Sequence, residues 1–412
     1  MGYYHAAIVN KRINGVNDIT LSHRVQRVKP SPTLAVTARA AELRAAGKDI
    51  IGLGAGEPDF DTPEHIKEAA IQAIRSGAAT RYTAVDGTAE LKSAIINKFQ
   101  RDNGLTYAAD QILVSCGGKQ SFYNLCQALL NPGDEVIIPA PYWVSYPDMV
   151  RLADGEPVIV RAGLDQRFKI TPEQLEAAIT PRTRLFVINS PSNPTGVAYS
   201  RAELEALAAV LLRNPQILVA TDDMYEHILW SDEPFVNIVN VAEELIPHTI
   251  VLNGVSKAYA MTGWRIGYAG GPKPLIQAMK KIQSQSTSNP AAVSQAAACE
   301  ALEGDQSCIA PMLAAFHERH DYVVAALNAL EGVRCAEADG TFYAFPDLSA
   351  VIERLDGIDD DVGLAEHLLS TAGVALVPGS AFGAPGYLRL SFATGMDTLK
   401  EALGRIAKAL ES

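Results

Sequence analysis

The chain has 412 residues, 48% of them hydrophobic and 20% charged, which is enough for two globular domains with a large core. Its formal net charge of −12 disfavours a surface that binds nucleic acid or an anionic membrane, and no apolar run reaches the length of a membrane span. The five cysteines show neither a CxxC pair nor a Cys/His ligand spacing, which predicts reduced thiols, a cytoplasmic location and no bound metal.

The chain begins with a segment that matches no packed element. Residues 1–20 lack the apolar stretch of a signal peptide, and we expect them to form an N-terminal arm. The first clear helical pattern follows at 33–46.

From about residue 110, short β-rich runs alternate with helical patterns. Apolar strands joined by helices predict a parallel sheet that is covered on both faces. The predicted strands are 112–115, 135–139, 185–189, 217–221 and 249–253, and the helices after the first four are 118–130, 143–152, 200–213 and a short helix beyond residue 221.

The pattern changes after a loop at 288–290. A long helix over 309–330 and a final helix over 395–411 enclose short strands, which predicts a smaller α+β domain. These strands are expected at 333–336, 342–345, 374–377 and 387–392. The predicted division is a small domain of residues 21–60 and 310–412, which includes the helix at 33–46, and a large domain of residues 61–309.

Ligands of open α/β sheets bind at the carboxyl ends of the strands, so polar residues that follow strands are candidates for a site. Lys257 follows the strand at 249–253, and Lys257 and Arg265 are the only Asp, Glu, Lys or Arg residues between Glu244 and Lys273. Burial lowers the pKa of a lysine, and the neutral amine can form a Schiff base with an aldehyde. For a single lysine, however, an ordinary surface position is the commoner explanation.

A carboxylate and a phenol follow the strand at 217–221. Asp222 and Tyr225 are three positions apart in TDDMYEH, so a helical turn would place both on one side. A carboxylate can keep a pyridine nitrogen protonated, and a tyrosine can donate to a phenolic oxygen on the same ring. Taken alone, an ordinary helix cap explains the aspartate equally well.

Two glycine-containing turns follow other strands. SCGGKQ (115–120) opens a helix, where backbone N–H groups favour phosphate, and it carries the isolated charge of Lys119. NSPSNPTG (189–196) fixes a loop that points the amide of Asn193 inward. The alternatives are a tight strand–helix turn and a plain loop.

Together these turns supply an amine, a phosphate cup, a partner for a ring nitrogen and a partner for a phenolic oxygen. That set matches pyridoxal 5′-phosphate, and Arg265 is placed to hold its phosphate through two hydrogen bonds. Arg389 alternates with Tyr387 and Ser391 on one face of YLRLSF (387–392). It is either an exposed edge charge or a clamp for a substrate α-carboxylate, and the neighbouring cofactor site favours the clamp.

The sequence resembles class I aminotransferases among the fold-type-I pyridoxal-phosphate enzymes, from about residue 22 to the C-terminus. The resemblance rests on the lysine segment 254–272, with NPTG, the D-x-x-Y pair, PYW (141–143) and the strand arginine in the same order. KPS-x-T (29–33) and GLGAGEPDFDTP (52–63) are similar to a bacterial aspartate aminotransferase subgroup, some of whose members transaminate prephenate. The resemblance implies an α/β fold in which helices enclose a mostly parallel sheet, beside a smaller α+β domain.

The resemblance also implies roles for particular residues. Lys257, Asp222 and Tyr225 are the expected catalytic residues: Lys257 holds the cofactor covalently and moves the proton. The residues implied to contact the cofactor are Lys257, Gly118, Lys119, Trp143, Asn193, Asp222, Tyr225, Ser256, Arg265 and Tyr82, the last reaching the phosphate of the other subunit in a homodimer with shared active sites. The residues implied to contact the substrate are Gly56, Trp143, Asn193 and Arg389, with Lys119, Ser31, Thr33 and Lys29 at a second acidic group.

Two departures from the family pattern bear on these roles. Gly254 stands where many relatives have a serine that binds the phosphate, so backbone groups or Ser256 must replace that hydroxyl. No clear counterpart exists of the arginine that reads the distal carboxylate in animal-type enzymes. The preference for acidic substrates therefore depends on weaker residues.

The expected function is ping-pong amino transfer between aspartate or glutamate and 2-oxo acids, with prephenate as a further acceptor. One alternative is a broad or aromatic aminotransferase. A β-lyase or cyclopropane-forming synthase is possible on the same scaffold, because fold does not dictate function. A non-catalytic cofactor-binding regulator is disfavoured by the intact Lys257 and by the lack of spare length for a DNA-binding domain.

Two other motifs are weaker. GLGAG (52–56) leads into EPDFDTP rather than into a helix, so it is not a dinucleotide fingerprint. HERH (317–320) lacks the HExxH spacing of zinc sites, and a solvated helix face is expected there.

Overall fold

The computed structural model describes residues 19–411. Residues 1–18 of the predicted N-terminal arm lie outside this range. Ile19, the first described residue, is 78% exposed. Within the described range no helix combines the length and the apolar character needed to cross a membrane.

The strands form sheets of seven, three and two strands in this part of the chain. In chain order they are β1 (Ile51–Gly52), β2 (Ile112–Ser115), β3 (Glu135–Ala140), β4 (Glu156–Arg161), β5 (Thr183–Asn189), β6 (Leu218–Asp222), β7 (Thr249–Gly254), β8 (Gly267–Gly270), β9 (Tyr343–Ala344), β10 (Val374–Ala375), β11 (Val377–Pro378) and β12 (Leu388–Ser391).

The α-helices lie between and around these strands. They are α1 (His23–Gln26), α2 (Pro32–Ala45), α3 (Glu64–Arg75), α4 (Ala89–Asn103), α5 (Gly118–Leu129), α6 (Tyr146–Leu152), α7 (Pro172–Ala178), α8 (Arg201–Leu212), α9 (Ile238–Val241), α10 (Lys273–Ser284), α11 (Ala292–Glu303), α12 (Ile309–Asn328), α13 (Ser349–Arg354), α14 (Asp361–His367) and α15 (Met396–Glu411).

The seven-stranded sheet has the order β2-β8-β7-β6-β5-β3-β4. All five strands predicted for it are confirmed, and six of its strands run in one direction. The exception is β8, which runs antiparallel to β2 and β7, so the expectation of a mostly parallel sheet is confirmed. Its sequence GYAG has no β-like pattern, yet glycine is required, because a Cβ on Gly267 would lie 2.2 Å from the backbone nitrogen of Gly118.

Both faces of this sheet are buried, as predicted. Phe186 and Ile188 point into a hydrophobic cluster that includes α4, α8 and α11. Their neighbours Leu185 and Val187 point into a second cluster with α5, α6 and α10. Alternate residues of one strand therefore fill two cores, which explains the continuous apolar runs.

The smaller sheets belong to a third cluster built largely from residues beyond 311. β12 lies between β11 and β9, antiparallel to both, and β1 pairs in parallel with β10. This cluster also includes Leu53, Tyr225 and Ile228. The domain boundaries at residues 20, 60 and 309 stay a prediction.

Three predicted elements differ from the structure. The segment 333–336 is not a strand, because only one of its residues, Arg334, pairs with another chain segment, in an isolated bridge to Asp347. The run 374–377 divides into β10 and β11, which join different sheets. No helix directly follows residue 221: the backbone N–H groups of Glu226 and Ile228 donate to the carbonyl oxygens of Asp223 and Tyr225, which makes turns, and Leu229 then bridges to Gly340.

The HERH segment is also only partly solvated. His317 is exposed, but His320 is 3% exposed and its Nε2 accepts a hydrogen bond from the Ala338 backbone N–H at 2.9 Å. The expectation of a solvated helix face is therefore wrong for His320, which is a packed core residue.

Candidate active site

Polar side chains gather where β2, β5, β6 and β7 end, at the carboxyl edge of the large sheet. The ends of parallel neighbours meet at one edge, so residues far apart in sequence become adjacent. Segments around β1 and β12 approach the same edge from the smaller sheets. The structure thus assembles one site from both parts of the chain.

Lys257 lies just beyond β7, with its side chain partly buried. Its Nζ donates a hydrogen bond to the carbonyl oxygen of Gly56 at 2.6 Å and lies 5.8 Å from the ring centroids of Tyr225 and Phe342. Burial and, next, the positive charge of Arg389 lower the pKa of Lys257 to about 8. A substantial fraction of this amine is therefore neutral near physiological pH and able to attack a carbonyl carbon.

Asp222 is the last residue of β6. One carboxylate oxygen accepts a hydrogen bond from the hydroxyl of Tyr146 at 2.5 Å, and the other accepts from the backbone N–H of Met224 at 3.3 Å. Burial raises the pKa of Asp222, so a cationic partner such as a protonated pyridine nitrogen would be favourable beside it. Tyr146 was not predicted, although it stands three residues after the PYW motif.

The turn between β2 and α5 forms an anion-binding concavity. Gly117 has a φ of +83°, and a Cβ there would lie 2.3 Å from Nη2 of Arg265. Arg265 itself is held by a hydrogen bond from Nη1 to the Thr262 carbonyl at 2.9 Å. The first N–H groups of α5 have no partner inside the helix, so they and the guanidinium face the same space.

Lys119 lies in the first turn of α5, and its side chain is exposed. Its Nζ is 5.1 Å from the centroid of the Trp143 ring, and that ring packs edge-on against Tyr146 at 5.2 Å. Ring contacts therefore lead from Lys119 through Trp143 to Tyr146, which donates to Asp222. The roles of Lys119 and Trp143 at a cofactor stay predictions.

Arg389 is 2% exposed in the central strand of its sheet, so the alternative of an exposed edge charge is wrong. Nη1 donates to the amide oxygen of Asn193 at 2.9 Å, and Nη2 donates to the Gly54 carbonyl at 2.7 Å. Nε is buried without a hydrogen-bond partner among residues 19–411. A buried cation with an unpaired donor is suited to an anionic ligand, because such a group is costly to leave unpaired.

Tyr225 and Tyr343 lie side by side between Lys257 and Arg389. Their hydroxyl oxygens are 3.0 Å apart, and a Cβ on Gly56 would lie 2.8 Å from the Tyr343 hydroxyl. Glycine at position 56 therefore lets the backbone approach the site closely. Tyr343 was not predicted, because GTFYAF shows only an aromatic strand.

Four of the predicted site residues are not joined to this group by any hydrogen bond or ion pair in the described range. Tyr82 is 93% exposed, and Lys29 is also exposed. Ser31 caps α2 by accepting from the Leu34 backbone N–H at 3.5 Å, and Thr33 Oγ1 is buried without a partner. Their roles stay predictions.

The structure gives a reason for the glycine at position 254. A Cβ there would lie 3.0 Å from the Ile266 carbonyl oxygen and 3.1 Å from both the Gly267 Cα and the Met224 Cε. A serine would require these neighbours to move apart. Ser256, whose hydroxyl was expected to replace the missing one, is 6% exposed.

The sequence analysis also did not predict a buried polar network around Glu226, in the turn after β6. The carboxylate of Glu226 accepts from Asn103 Nδ2 at 2.7 Å and Asn253 Nδ2 at 2.8 Å, and it forms an ion pair with the fully buried Lys98. Asn253 lies in β7 and Glu226 in the turn after β6. Glu226 thereby ties together the two segments that carry Lys257 and Asp222.

Asp102, Glu226 and His227 offer ligand atoms that lie within 4.8 Å of one another. The Glu226 carboxylate is already paired with Lys98. This pairing favours a structural ion-pair network over a metal site.

The residues present fit pyridoxal 5′-phosphate. The glycine cradle under Arg265 suits a phosphate, and the Asp222 carboxylate suits a pyridinium nitrogen. Lys257 offers an amine to the aldehyde, and the unpaired Nε of Arg389 marks a place for the carboxylate of an amino acid.

Comparisons with known proteins agree with this chemistry. A family model described as "Aminotransferase class I and II" matches residues 48–406. The aspartate/prephenate aminotransferase of Nitrosomonas europaea is 62% identical over 395 residues, which cover 95% of this chain and 99% of that protein. The enzyme of the same name from Cereibacter sphaeroides is 57% identical, over 94% of this chain and 97% of its own.

Solved structures give the same result. The aspartate aminotransferase of Rhizobium meliloti superposes with a TM-score of 0.92 at 49% identity, covering 95% of this chain and 99% of its own. The Thermus thermophilus aspartate aminotransferase with maleate superposes with a TM-score of 0.89 at 45% identity, covering 95% and 100%. The likeness therefore extends over nearly the whole length of each chain.

Proposed function

The chain belongs to the aminotransferase class I and II family, and we propose that it is an aspartate aminotransferase that uses pyridoxal 5′-phosphate. It exchanges the amino group of L-aspartate or L-glutamate with 2-oxo acids by a ping-pong mechanism, and prephenate is a further acceptor. The observation that carries this proposal is that the Lys257 amine and the buried Arg389 guanidinium meet at one edge of the large sheet, bonded to the carbonyl groups of Gly56 and Gly54.

Each residue at the edge has a definite task in this proposal. When bound, the cofactor supplies an electron-withdrawing ring that stabilises charge on the substrate α-carbon. Lys257 holds the cofactor covalently and moves the proton at the α-carbon, while Asp222 keeps the ring nitrogen protonated. The hydroxyl of Tyr225 binds the phenolic oxygen. Asn193 assists it, because Arg389 already occupies its amide oxygen and the NH₂ group is left to donate.

The remaining residues bind and orient. Gly118, Ser256, Lys119 and Arg265 surround the phosphate, and Trp143 packs on the ring. Arg389 holds the α-carboxylate, and Gly56 allows it to approach, because a side chain there would collide with Tyr343. Fixing the carboxylate directs the α-hydrogen toward the lysine, and such positioning accounts for much of enzymatic rate enhancement.

The preference for acidic substrates is the finer part of the proposal. Lys119 is an exposed residue whose ammonium lies beside the ring of Trp143, so it can pair with a second carboxylate as well as with phosphate. Ser31, Thr33 and Lys29 are proposed to join it. The relatives' names support this preference, as does maleate, a dicarboxylate, in the Thermus structure.

Two other activities remain to be separated by experiment. A broad or aromatic aminotransferase would accept phenylalanine as well as aspartate, and a lyase would release ammonia. A non-catalytic regulator would turn over nothing. With aspartate and 2-oxoglutarate we expect oxaloacetate and glutamate in equal amounts and no ammonia.

Lys119→Ala tests the substrate assignment directly. A hydrogen bond to a charged group contributes about 1.5–3 kcal/mol, so kcat/KM for aspartate should fall by about one to two decades. Phenylalanine lacks the second carboxylate and should lose far less. The matched variant Arg389→Ala should lower kcat/KM for both substrates alike, because both carry an α-carboxylate.

The measurement is steady-state kcat/KM for the two donors in the parent and both variants. Equal losses for aspartate and phenylalanine in Lys119→Ala would limit Lys119 to the phosphate. Ammonia in place of glutamate would contradict the aminotransferase assignment itself.

We further propose a homodimer with shared active sites. Tyr82 is 93% exposed on the single chain, and Ile71 and Ile74 of the neighbouring helix α3 are exposed as well. Large apolar side chains of this kind mark an interaction surface. In the dimer Tyr82 reaches the phosphate of the other subunit.

Mixing Tyr82→Phe chains with Lys257→Ala chains tests this arrangement. If Tyr82 serves the other subunit, a mixed dimer contains one site with both defects and one with neither. Activity should therefore rise above the average of the two unmixed variants. If subunits exchange and the activity stays at that average, sharing is excluded.

A cytoplasmic location is proposed on the five cysteines, all of which are free in the described structure. Reduced thiols are typical of that compartment.

A further inference from the structure

Tyr343 lies between Tyr225, which is proposed to bind the cofactor, and Arg389, which is proposed to bind the substrate. Its hydroxyl is 3.0 Å from that of Tyr225, and its ring lies under the guanidinium of Arg389, whose Cζ is 4.4 Å from the ring centroid. We propose that Tyr343 is a positioning residue that donates a hydrogen bond to Tyr225 and so strengthens the bond from Tyr225 to the cofactor's phenolic oxygen. This inference rests on the role of Tyr225 in the proposed function.

The direction of the hydrogen bond follows from counting protons. A tyrosine hydroxyl has one proton to donate and two lone pairs to accept. When Tyr225 donates its proton to the phenolic oxygen, it has none left for Tyr343. A contact of 3.0 Å between the two hydroxyl oxygens is then a hydrogen bond only if Tyr343 is the donor.

Tyr343 is suited to that direction. Tyr225 is the only hydrogen-bond partner of the Tyr343 hydroxyl among residues 19–411, so no other acceptor competes for the proton. Burial raises the pKa of Tyr343, which keeps the hydroxyl protonated and able to donate.

The donor is also held in place. Tyr343 is fully buried in β9, its ring packs against those of Phe342 and Tyr225, and the backbone of Gly56 closes over its hydroxyl. Successive hydrogen bonds polarise one another, so a fixed donor behind Tyr225 strengthens the bond in front of it. The Arg389 clamp and the cofactor's phenolic oxygen are then joined through two side chains, Tyr343 and Tyr225.

The pH titration of the bound cofactor gives a readout that does not depend on turnover. In the holoenzyme the Lys257 nitrogen would carry a proton that titrates, and negative charge on the phenolic oxygen would grow as that proton is lost. When that nitrogen loses its proton, the oxygen carries its full negative charge and gains most from the Tyr225 donor. A strong donor therefore lowers the pKa of the nitrogen, and a weakened donor raises it.

Tyr343→Phe removes the hydroxyl and keeps the ring under Arg389. In the holoenzyme we expect the pKa of the visible-absorbance titration to rise by about 0.1–0.7, because cooperative strengthening is about 10–30% per bond. Tyr225→Phe should raise it further. Adding Tyr343→Phe to Tyr225→Phe should then change nothing more, since the hydroxyl that received the bond is gone.

Tyr199→Phe is the matched control. Its buried hydroxyl accepts from the Ile170 backbone N–H at 3.0 Å, away from Lys257, and its loss should leave the titration unchanged. If Tyr225→Phe raises the pKa but Tyr343→Phe does not, the inference is overturned and the proposed function stands. An equal rise from Tyr343→Phe with and without the Tyr225 hydroxyl also overturns it. If Tyr225→Phe itself has no effect, the role of Tyr225 in the proposed function fails, and this inference with it.

Discussion

Lys257→Ala is expected to lose nearly all turnover, by about 10⁴-fold or more, while still binding pyridoxal 5′-phosphate. Proton transfer by a positioned side chain contributes about 10²–10⁴-fold, and the same change removes the amine that is proposed to react with the aldehyde. Binding survives because the Gly117–Gly118 turn and Arg265, which are proposed to hold the phosphate, remain intact.

Chemical labelling identifies the lysine independently of rate. Borohydride reduction of the parent holoenzyme, followed by peptide mapping, should place the cofactor on Lys257. The surface variant Lys281→Ala, whose side chain is exposed, should label and turn over as the parent does. A label on any other lysine would overturn the assignment.

Asp222→Ala is expected to lower kcat by about two to three decades. Each decade corresponds to about 1.36 kcal/mol, and an unpaired pyridine nitrogen that loses its proton at neutral pH stabilises charge on the α-carbon much less well. Removing the carboxylate lowers the pKa of the ring nitrogen. The activity of the variant relative to the parent should therefore rise as the pH falls and the nitrogen regains its proton.

The matched variant Asp222→Glu keeps the charge and should keep part of the activity. Both variants should be assayed for kcat at saturating cofactor over a range of pH. Near-normal turnover in Asp222→Ala, at a pH where the parent is active, would show that this carboxylate does not govern the ring nitrogen.

The strands of the large sheet could be predicted because their residues face two cores at once. Runs such as LFVIN are apolar on both sides and end in polar residues. Since parallel strands end at one edge, the position of Lys257 and Asp222 at that edge followed. Strand β8 escaped prediction because close backbone contact with Gly118 selects glycine there, which removes the β-like pattern.

The supporting residues of the site could not be predicted in the same way. Tyr146 looks like the start of an ordinary helix, and Tyr343 like a core aromatic of a strand. Glu226 resembles a charge in an exposed turn, yet it is buried against Lys98. The role of each residue depends on a partner more than 70 positions away; Tyr146 and Asp222, for example, are 76 positions apart. A local sequence pattern does not show which distant residue will be the partner.

The joining of Arg389 to Gly54 has a consequence for how the protein is made. The two residues are separated by 335 positions, and β1 likewise pairs with β10 near the end of the chain. At a synthesis rate of about 5–20 residues per second, roughly 17–70 s pass between the appearance of one partner and the other. The residues of this chain proposed to bind the cofactor, the last of which is Arg265, are therefore synthesised before Arg389, which is proposed to bind the α-carboxylate of every substrate. The cofactor-binding part of the site is therefore synthesised first. The residue that binds the α-carboxylate of the substrate follows near the end of translation.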